Sequence, residues 1–477
     1  MSRRVLAVAL SASLAACSVV GSNWQRPEAE LPPRWSQPAL NPDGPSQSAS
    51  ADADFWAAWD DPPLRQLIDQ ALRHNRDLRL AAARVAEARA LSGEAQATAL
   101  PQLDATGSVV RNRASGNDRL PLQGTANPVR QYRSGFDASW EIDLFGRLAR
   151  EREAASATLD AAQLHHDAMA ISLAAEVASQ YFQLRAAQTQ AGIIEQQMAT
   201  ASEAVAVVGS RVRAGLNPEL DRLRAQDQQA QIDATLPPAR AEVGLAARRL
   251  GVLVGAQADS LLATLTAPQP LPRLAPSLPR RFPAAWLDRR PDVRAAEAQA
   301  HAAQAQVGVA EGDRLPRLTL GAAFGWLSLS AGKLGDGDSR TFTIGPQLTL
   351  PLFHGGALTA RLEAARARQD QAWLNWEKTA AEALLEVESG ALRQHEATQL
   401  HAARARLLAT RQHQFDLARL RYQRGLSDYT EPLEALRQLF AAQTDEVAAR
   451  VQALNHSVAL YKALGGGWQP AEPMLDR

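Results

Sequence analysis

A single cysteine in 477 residues excludes an intramolecular disulfide framework. Basic and acidic residues balance at 51 each, so net charge gives no reason to expect nucleic acid as a partner. Aromatic residues are scarce at 5%, while Ala, Leu, Gln, Arg and Glu dominate, a composition suited to long helices that approach one another closely. Beyond the N-terminus no apolar run reaches the roughly 18–20 residues of a membrane-crossing helix, so none is expected in the mature chain. Catalytic signatures are missing too, with no nucleophile–base constellation and no phosphate loop. His165, His166, His395 and His401 have no carboxylate or thiolate at ligand spacing and read as a solvated helix face, not a metal site. An enzyme is not expected, nor a metal or other cofactor.

The N-terminus reads MSRRVLAVALSASLAAC. Arg3 and Arg4 form a positive n-region, Val5–Leu14 a short apolar run, and Ala15-Ala16 the small residues of a cleavage site. Residues 1–16 are therefore expected to be an export signal. Leu14-Ala15-Ala16-Cys17 resembles a bacterial lipobox, which implies cleavage before Cys17, then S-diacylglycerol and N-acyl modification of that residue. Ser18 rather than Asp at the next position implies sorting to the outer membrane. Residues 17–54, rich in Pro, Ser, Asn and Asp, read as an extended, lipidated tether.

The remainder repeats itself. Asn75–Ala90 echoes Arg290–Ala305, with Asp77 and Asp292 offset by 215 positions, and Leu100-Pro101 matches Leu315-Pro316 at that same offset. Arg211–Leu216 echoes Arg421–Leu426, and Gly215 and Gly425 are 210 apart. Two repeats follow, at 55–275 and 276–468, with a tail at 469–477. Each reads helix, strand, loop, strand, long helix, turn, helix.

The strands are expected at about 102–111, 132–143, 317–327 and 341–352. In the second, Tyr132, Ser134, Phe136, Ala138, Trp140 and Ile142 alternate with Arg133, Gly135, Asp137, Ser139, Glu141 and Asp143. One face is apolar with aromatics near both ends, and the other carries charge. In the fourth, Phe342, Ile344, Leu348, Leu350 and Leu352 alternate with polar residues, and Pro346 within it calls for a bulge or a missing ladder bond. Such alternation suits lipid on one side and a wet lumen on the other, and also a soluble sheet. Export, terminal aromatics and flanking helices favour lipid. Four strands cannot close a barrel in a bilayer, so the chain is expected to form a homotrimer with twelve strands.

From Arg147 to about Arg213 there is no proline. Leu164, Ala168, Ile171, Ala175, Ala178 and Phe182 form a coiled-coil seam there, repeated by Trp373, Trp376, Ala380, Ala383 and Val387, and by Val447, Val451, Leu454, Val458 and Tyr461. Gly215 and Gly425 fall where each long helix must reverse. Pro237-Pro238 should interrupt the first returning helix only.

With these features in place, WEIDLFGR, PLFHGG, RYQRGLSDYTEPLEALRQ and YKALGGGW carry a resemblance to TolC-type outer-membrane efflux proteins, in the lipoprotein branch serving resistance–nodulation–division pumps. The resemblance implies a mainly α fold of mixed class. Long antiparallel coiled-coil hairpins form a trimeric α-barrel, and four strands per chain enter a twelve-strand β-barrel in outer-membrane lipid. It implies an exit duct for small molecules such as drugs, working with a periplasmic membrane-fusion adaptor and an inner-membrane pump. Glu431 and Glu434 match acidic residues ringing the periplasmic aperture, Tyr422 a tyrosine that holds the inner hairpin closed, and Asp221 is the first-half equivalent of Glu431. A basic residue common in the family after the turn glycine is absent, since Leu426-Ser427 stand there. As ordinary first-turn acids, Glu431 and Glu434 would instead complement the helix dipole. The duct of a type I protein secretion system and a pore-free periplasmic scaffold lipoprotein are the alternatives.

Overall fold

The computed structural model describes residues 19–26, 56, 59–113, 128–255, 265–274 and 290–466. Cys17, the signal segment, most of the tether and the tail lie outside them. Secondary structure follows the doubled pattern. Helices α1 (Pro62–His74) and α2 (Arg76–Thr98) lead to strands β1 (Gln102–Asn112) and β2 (Val129–Ile142), then to α3 (Arg147–Arg213), α4 (Glu219–Asp233) and α5 (Leu236–Val254). Helix α6 (Pro291–Gly312), strands β3 (Arg317–Ser328) and β4 (Arg340–Thr349), and helices α7 (Ala357–Gln423) and α8 (Thr430–Ala463) complete the chain. Both α3 and α7 are unbroken over 67 residues, on the order of 100 Å each. The chain divides into two units.

One unit, built from 84–163 and 295–377 with the N-terminal segment, holds a four-stranded antiparallel sheet in the order β1-β2-β3-β4. All four strands join their helices at one end of the sheet, and β1–β2 and β3–β4 are looped at the other. The β3–β4 loop carries two short 3-10 turns, Ala331–Lys333 and Gly337–Ser339. Strand β4 stops at Thr349, short of the expected 352. Its partner β3 begins at Arg317 opposite Thr349, so Leu350–Leu352 have nothing on β3 to pair with, and Pro351 lacks a donor. Of the bulge and the missing ladder bond expected at Pro346, the structure takes the second, because Pro346 faces Leu320 within an unbroken register. Strand β4 lies at the edge of this sheet, where proline is tolerated.

Residues 19–26 are strapped onto this unit. Val20 N–H donates to the Phe145 carbonyl at 2.8 Å, and the buried Arg150 guanidinium donates to the Val20 carbonyl at 2.8 Å and to Asn23 Oδ1 at 2.9 Å. Gly146, at φ +78°, lies so close to Val19 that a β-carbon would come within 2.6 Å of its side chain. Trp24 stacks on His301, whose Nε2 lies 2.8 Å from Glu153. Burial works against the Glu153 charge, but hydrogen bonds from His301 and Arg150 hold its carboxyl below the ordinary range.

The second unit contains α1, most of the two hairpins, and the main apolar core. Ala175, Ala178 and Phe182 are buried together with Val177, Tyr181 and Leu184, so α3 is enclosed on more sides than a two-residue seam predicts. Trp59 packs on Phe182 with ring centroids 5.1 Å apart, and Tyr181 donates to Asp61 at 3.0 Å. Burial pushes the Tyr181 phenol up to about 12. The α7 and α8 seams are buried in this unit at Ala380, Ala383 and Val387, and at Val447, Val451, Leu454 and Val458, and Trp376 of the α7 seam is buried in the first.

Equivalent positions of the two halves make equivalent contacts. Asn75 Nδ2 donates to the Leu253 carbonyl at 2.9 Å, and Arg290, 215 positions later, donates to the Ala463 carbonyl at 2.9 Å, 210 positions later. The prolines act as expected. Residues 234–235 separate α4 from α5, and Pro237-Pro238 fall in the first turn of α5, where missing donors cost least, whereas α8 runs through.

Candidate functional site

Two regions of the structure carry candidate functional features, and the first is the sheet. Its register brings the apolar positions of all four strands onto one face. Ala105, Phe136, Phe324 and Phe342 stand in one cross-strand row, and Leu103, Ala138, Ala322 and Ile344 in the next. Towards the helical end come Trp140, Leu320 and Pro346, then Ile142, Leu318 and Leu348. Among the described residues nothing covers this face. Phe342 is 79% exposed, and Leu103, Ile344 and Leu348 are also exposed. Trp140 Nε1 donates to the Ala99 carbonyl at 3.0 Å, fixing an amphipathic ring at the helical end of the face.

The opposite face carries Asp104, Arg133, Asp137, Glu141, Thr319, Thr341, Thr343 and Gln347. Asp104 and Asp137 are direct cross-strand partners, an unfavourable pairing for like charges. Asp137 is compensated by Thr106 Oγ1 at 2.8 Å and Arg133 at 2.6 Å. Gly135 and Gly325 face each other, and a β-carbon at either would sit 2.5 Å or less from a carbonyl oxygen of the neighbouring strand.

The second region is the pair of hairpin tips. Both long helices end in the same cap. Gly215 and Gly425 adopt φ +72° and +76°, and the two residues closing each cap return hydrogen bonds to the last turn. Leu216 N–H donates to Arg211 and Gly215 N–H to Val212, as Leu426 does to Arg421 and Gly425 to Tyr422, all at 2.9–3.0 Å. This is the double bond of a Schellman cap, and it needs a left-handed residue at the glycine.

Tyr422 is buried with Val208, Ala225, Tyr429 and Leu433, its ring 5.6 Å from that of Tyr429. Arg211 spans the two tips. Its guanidinium lies 4.6 Å over the Tyr422 ring and donates to the Tyr422 carbonyl at 2.9 Å and to Asn217 Oδ1 at 3.1 Å. Asn217 donates in turn to Asp221 at 2.9 Å. Burial raises the Tyr422 phenol above its usual range and pushes that of Tyr429 to about 12. The Tyr422 hydroxyl has no hydrogen-bond partner among the described residues.

Glu431 and Glu434 are exposed at the start of α8. Glu431 pairs with Arg421 at 3.1 Å, and Glu434 accepts from Gln438 at 2.9 Å. Asp221, their first-half counterpart, is buried and also meets Arg224 at 3.3 Å. The tip chain through Arg211 and the Arg421–Glu431 pair were not read from the sequence, although Arg211 and Arg421 occupy equivalent positions. The basic groups precede the turn glycines rather than following them. His401, expected on a solvated face, meets Glu446 of the neighbouring helix at 3.1 Å. Among the described residues no cluster of three or more His, Cys, Asp or Glu could hold a metal ion, and no helix is long and apolar enough to cross a membrane.

The family model described as outer membrane efflux protein matches residues 67–256 and 283–466. The chain belongs to the outer membrane efflux proteins. Among its relatives in that family is the solvent efflux pump outer membrane protein SrpC of Pseudomonas putida, 32% identical, with 96% of this chain and 97% of the relative covered. The antibiotic efflux pump outer membrane protein ArpC of the same species is 33% identical, covering 98% and 96%. Among solved structures, the outer-membrane channel OprN matches with TM-score 0.85 at 30% identity, over 94% of this chain and 99% of that one. The open-state outer membrane channel MtrE of Neisseria gonorrhoeae matches at 0.80 with 25% identity, over 94% and 98%. This outer membrane efflux protein is thus an outer-membrane channel for efflux, from a family of ducts rather than of enzymes.

Proposed function

We propose that the chain works as a homotrimer, each protomer giving four strands to a twelve-strand barrel and two helical hairpins to a periplasmic tunnel. In this reading 55–275 and 276–468 are two structural repeats of one ancestral half. One observation carries it: four strands in continuous register expose one apolar face, and both β1 and β4 end the sheet with unpaired edges. In lipid no edge is tolerated and about eight strands are the minimum, so further copies must close the ring. From Ile142 to Ser134, nine residues of tilted strand rise roughly 20 Å, close to the apolar band of an outer-membrane barrel.

Cys17 is the proposed lipidation site, carrying S-diacylglycerol and an N-acyl chain. It lies outside the described residues, two positions before Val19 in the sequence. Val19 packs on Gly146 at the helical end of the sheet. A lipid there would enter the inner leaflet beside the barrel.

The cargo is proposed to be small apolar or amphipathic compounds, as the names of SrpC and ArpC suggest. A periplasmic adaptor and an inner-membrane pump would deliver it. The hairpin tips are the proposed gate. Glu431 and Glu434 would ring the aperture and favour cations. Tyr422, Arg211 and Asp221 would hold the two tips together, and the caps at Gly215 and Gly425 would set the hairpin turns. Planar-bilayer recording of the detergent-extracted trimer tests both parts. Wild type should form channels that trivalent cations block from the periplasmic side, and Glu431→Ala with Glu434→Ala should relieve that block. No channels would refute the duct, and unchanged block would refute the acidic ring.

A further inference from the structure

The apolar face of the sheet has one charged zone. Continuing its rows away from the helices, Gly107, Ser134, Trp326 and Arg340 follow the phenylalanine row, then Val109, Tyr132 and Ser328, then Arg111 opposite Arg130. Arg111, Arg130 and Arg340 are the only charged residues of this face. All three sit at its looped end, in or beyond the row of Trp326. The strand carboxylates, Asp104, Asp137 and Glu141, all point the other way.

Arg111 and Arg130 are direct cross-strand partners, an arrangement that destabilises a sheet unless an anion lies between them. Among the described residues none of the three arginines forms an ion pair, and Asp336 and Asp338 in the neighbouring loop engage none of them. Among those residues Arg130 donates to the Tyr132 hydroxyl, at 3.4 Å. Beside them is an open concavity of about 510 Å³ lined by Arg111, Arg130, Tyr132, Leu329 and Ser330. Guanidinium groups offer paired donors that match phosphate oxygens.

We infer that Arg111, Arg130 and Arg340 form a site on the lipid-facing rim that binds the phosphates of an anionic glycolipid in the outer leaflet. The inference rests on the barrel orientation proposed above. With the helices in the periplasm, the looped end meets the outer headgroups, and the arginines lie just above the aromatic rows. Lipid is favoured over a soluble anion because the arginines share their face with Tyr132, Trp326 and Phe324. A ligand with both a phosphate and acyl chains fits that surface.

Native mass spectrometry of the intact detergent-extracted trimer tests the site, with bisphosphorylated lipid A and its dephosphorylated form as probes. The phosphorylated lipid should bind wild type at least tenfold more tightly, and the difference should shrink with salt. Each Arg→Gln change should weaken it about fivefold and the triple variant about hundredfold, while the triple Arg→Lys variant keeps most of the affinity. Equal binding of the two lipids to wild type overturns the inference without needing any variant. So does displacement of the lipid by inorganic phosphate at equal concentration. Channel recordings on the same preparation separate the two claims. Channels with no phosphate preference refute the rim site alone, and absence of channels refutes the barrel and the rim site together.

Discussion

Phe324 stands midway along the apolar face, with Phe136 and Phe342 beside it in register. Replacing it by arginine puts a charge at the middle of the proposed lipid band. The cost there is about 2–4 kcal/mol for the charge, with about 0.5–1.5 kcal/mol more for each lost aromatic contact. Ala323, one residue earlier, lies between Asp137 and Thr343 on the polar face. Arginine at that position gains a carboxylate neighbour and should change stability by less than about 1 kcal/mol. Denaturant unfolding of both variants in lipid vesicles, followed by loss of heat-modifiable trimer, compares them directly. Phe324→Arg should lower the transition steeply and Ala323→Arg should barely move it. Equal effects, or the reverse order, would refute the facing assigned to the sheet.

At the tips, the Tyr422 hydroxyl has no hydrogen-bond partner among the described residues. Tyr422→Phe should therefore leave thermal stability and resting conductance within error, whereas Tyr422→Ala, which empties a buried ring site, should cost about 3–5 kcal/mol and raise resting conductance. Acid should weaken the second unit at Asp292. Burial opposes its charge, but Arg290 at 2.6 Å outweighs burial and holds the carboxyl below the ordinary aspartate value of 3.8. Its stabilisation is complete above pH 3.8 and disappears as pH falls through the lowered folded value. Asp292→Asn should cost about 1–2 kcal/mol at neutral pH, reduced by water screening at a carboxylate with 38% of its side chain exposed. The variant should also flatten the acid limb of a pH-dependent unfolding series.

Much of this arrangement was legible because its signals are local. Period-two alternation assigns a face within each strand, so the apolar positions could be named before the register aligned them. Glycine at a helix end announces a left-handed cap, and Gly215 and Gly425 form the same one. The doubled spacing at Asn75 and Arg290 led to matched contacts with Leu253 and Ala463. What stayed hidden depends on neighbours distant in the chain. Arg211 and Tyr422 are 211 positions apart, and only the docking of two hairpins joins them. His401 finds Glu446 across an antiparallel helix pair, beyond the reach of ligand-spacing rules. Asp221 and Glu431 match in sequence, yet one is buried and the other exposed. Pro346 left a bulge and a missing ladder bond both open for a related reason. Whether a proline needs a bulge depends on whether its strand is at an edge, and the strand order is not written in any one strand.

The most direct test of the central claim labels adjacent residues of β4. Cysteines introduced singly at Phe342 and Thr343, each carrying an environment-sensitive fluorophore, are followed in vesicles with a lipid-attached quencher and with a water-soluble one. Position 342 should be quenched from lipid and spared from water, and position 343 the reverse. Loss of that alternation, with both positions quenched from water, would contradict a lipid-facing barrel wall.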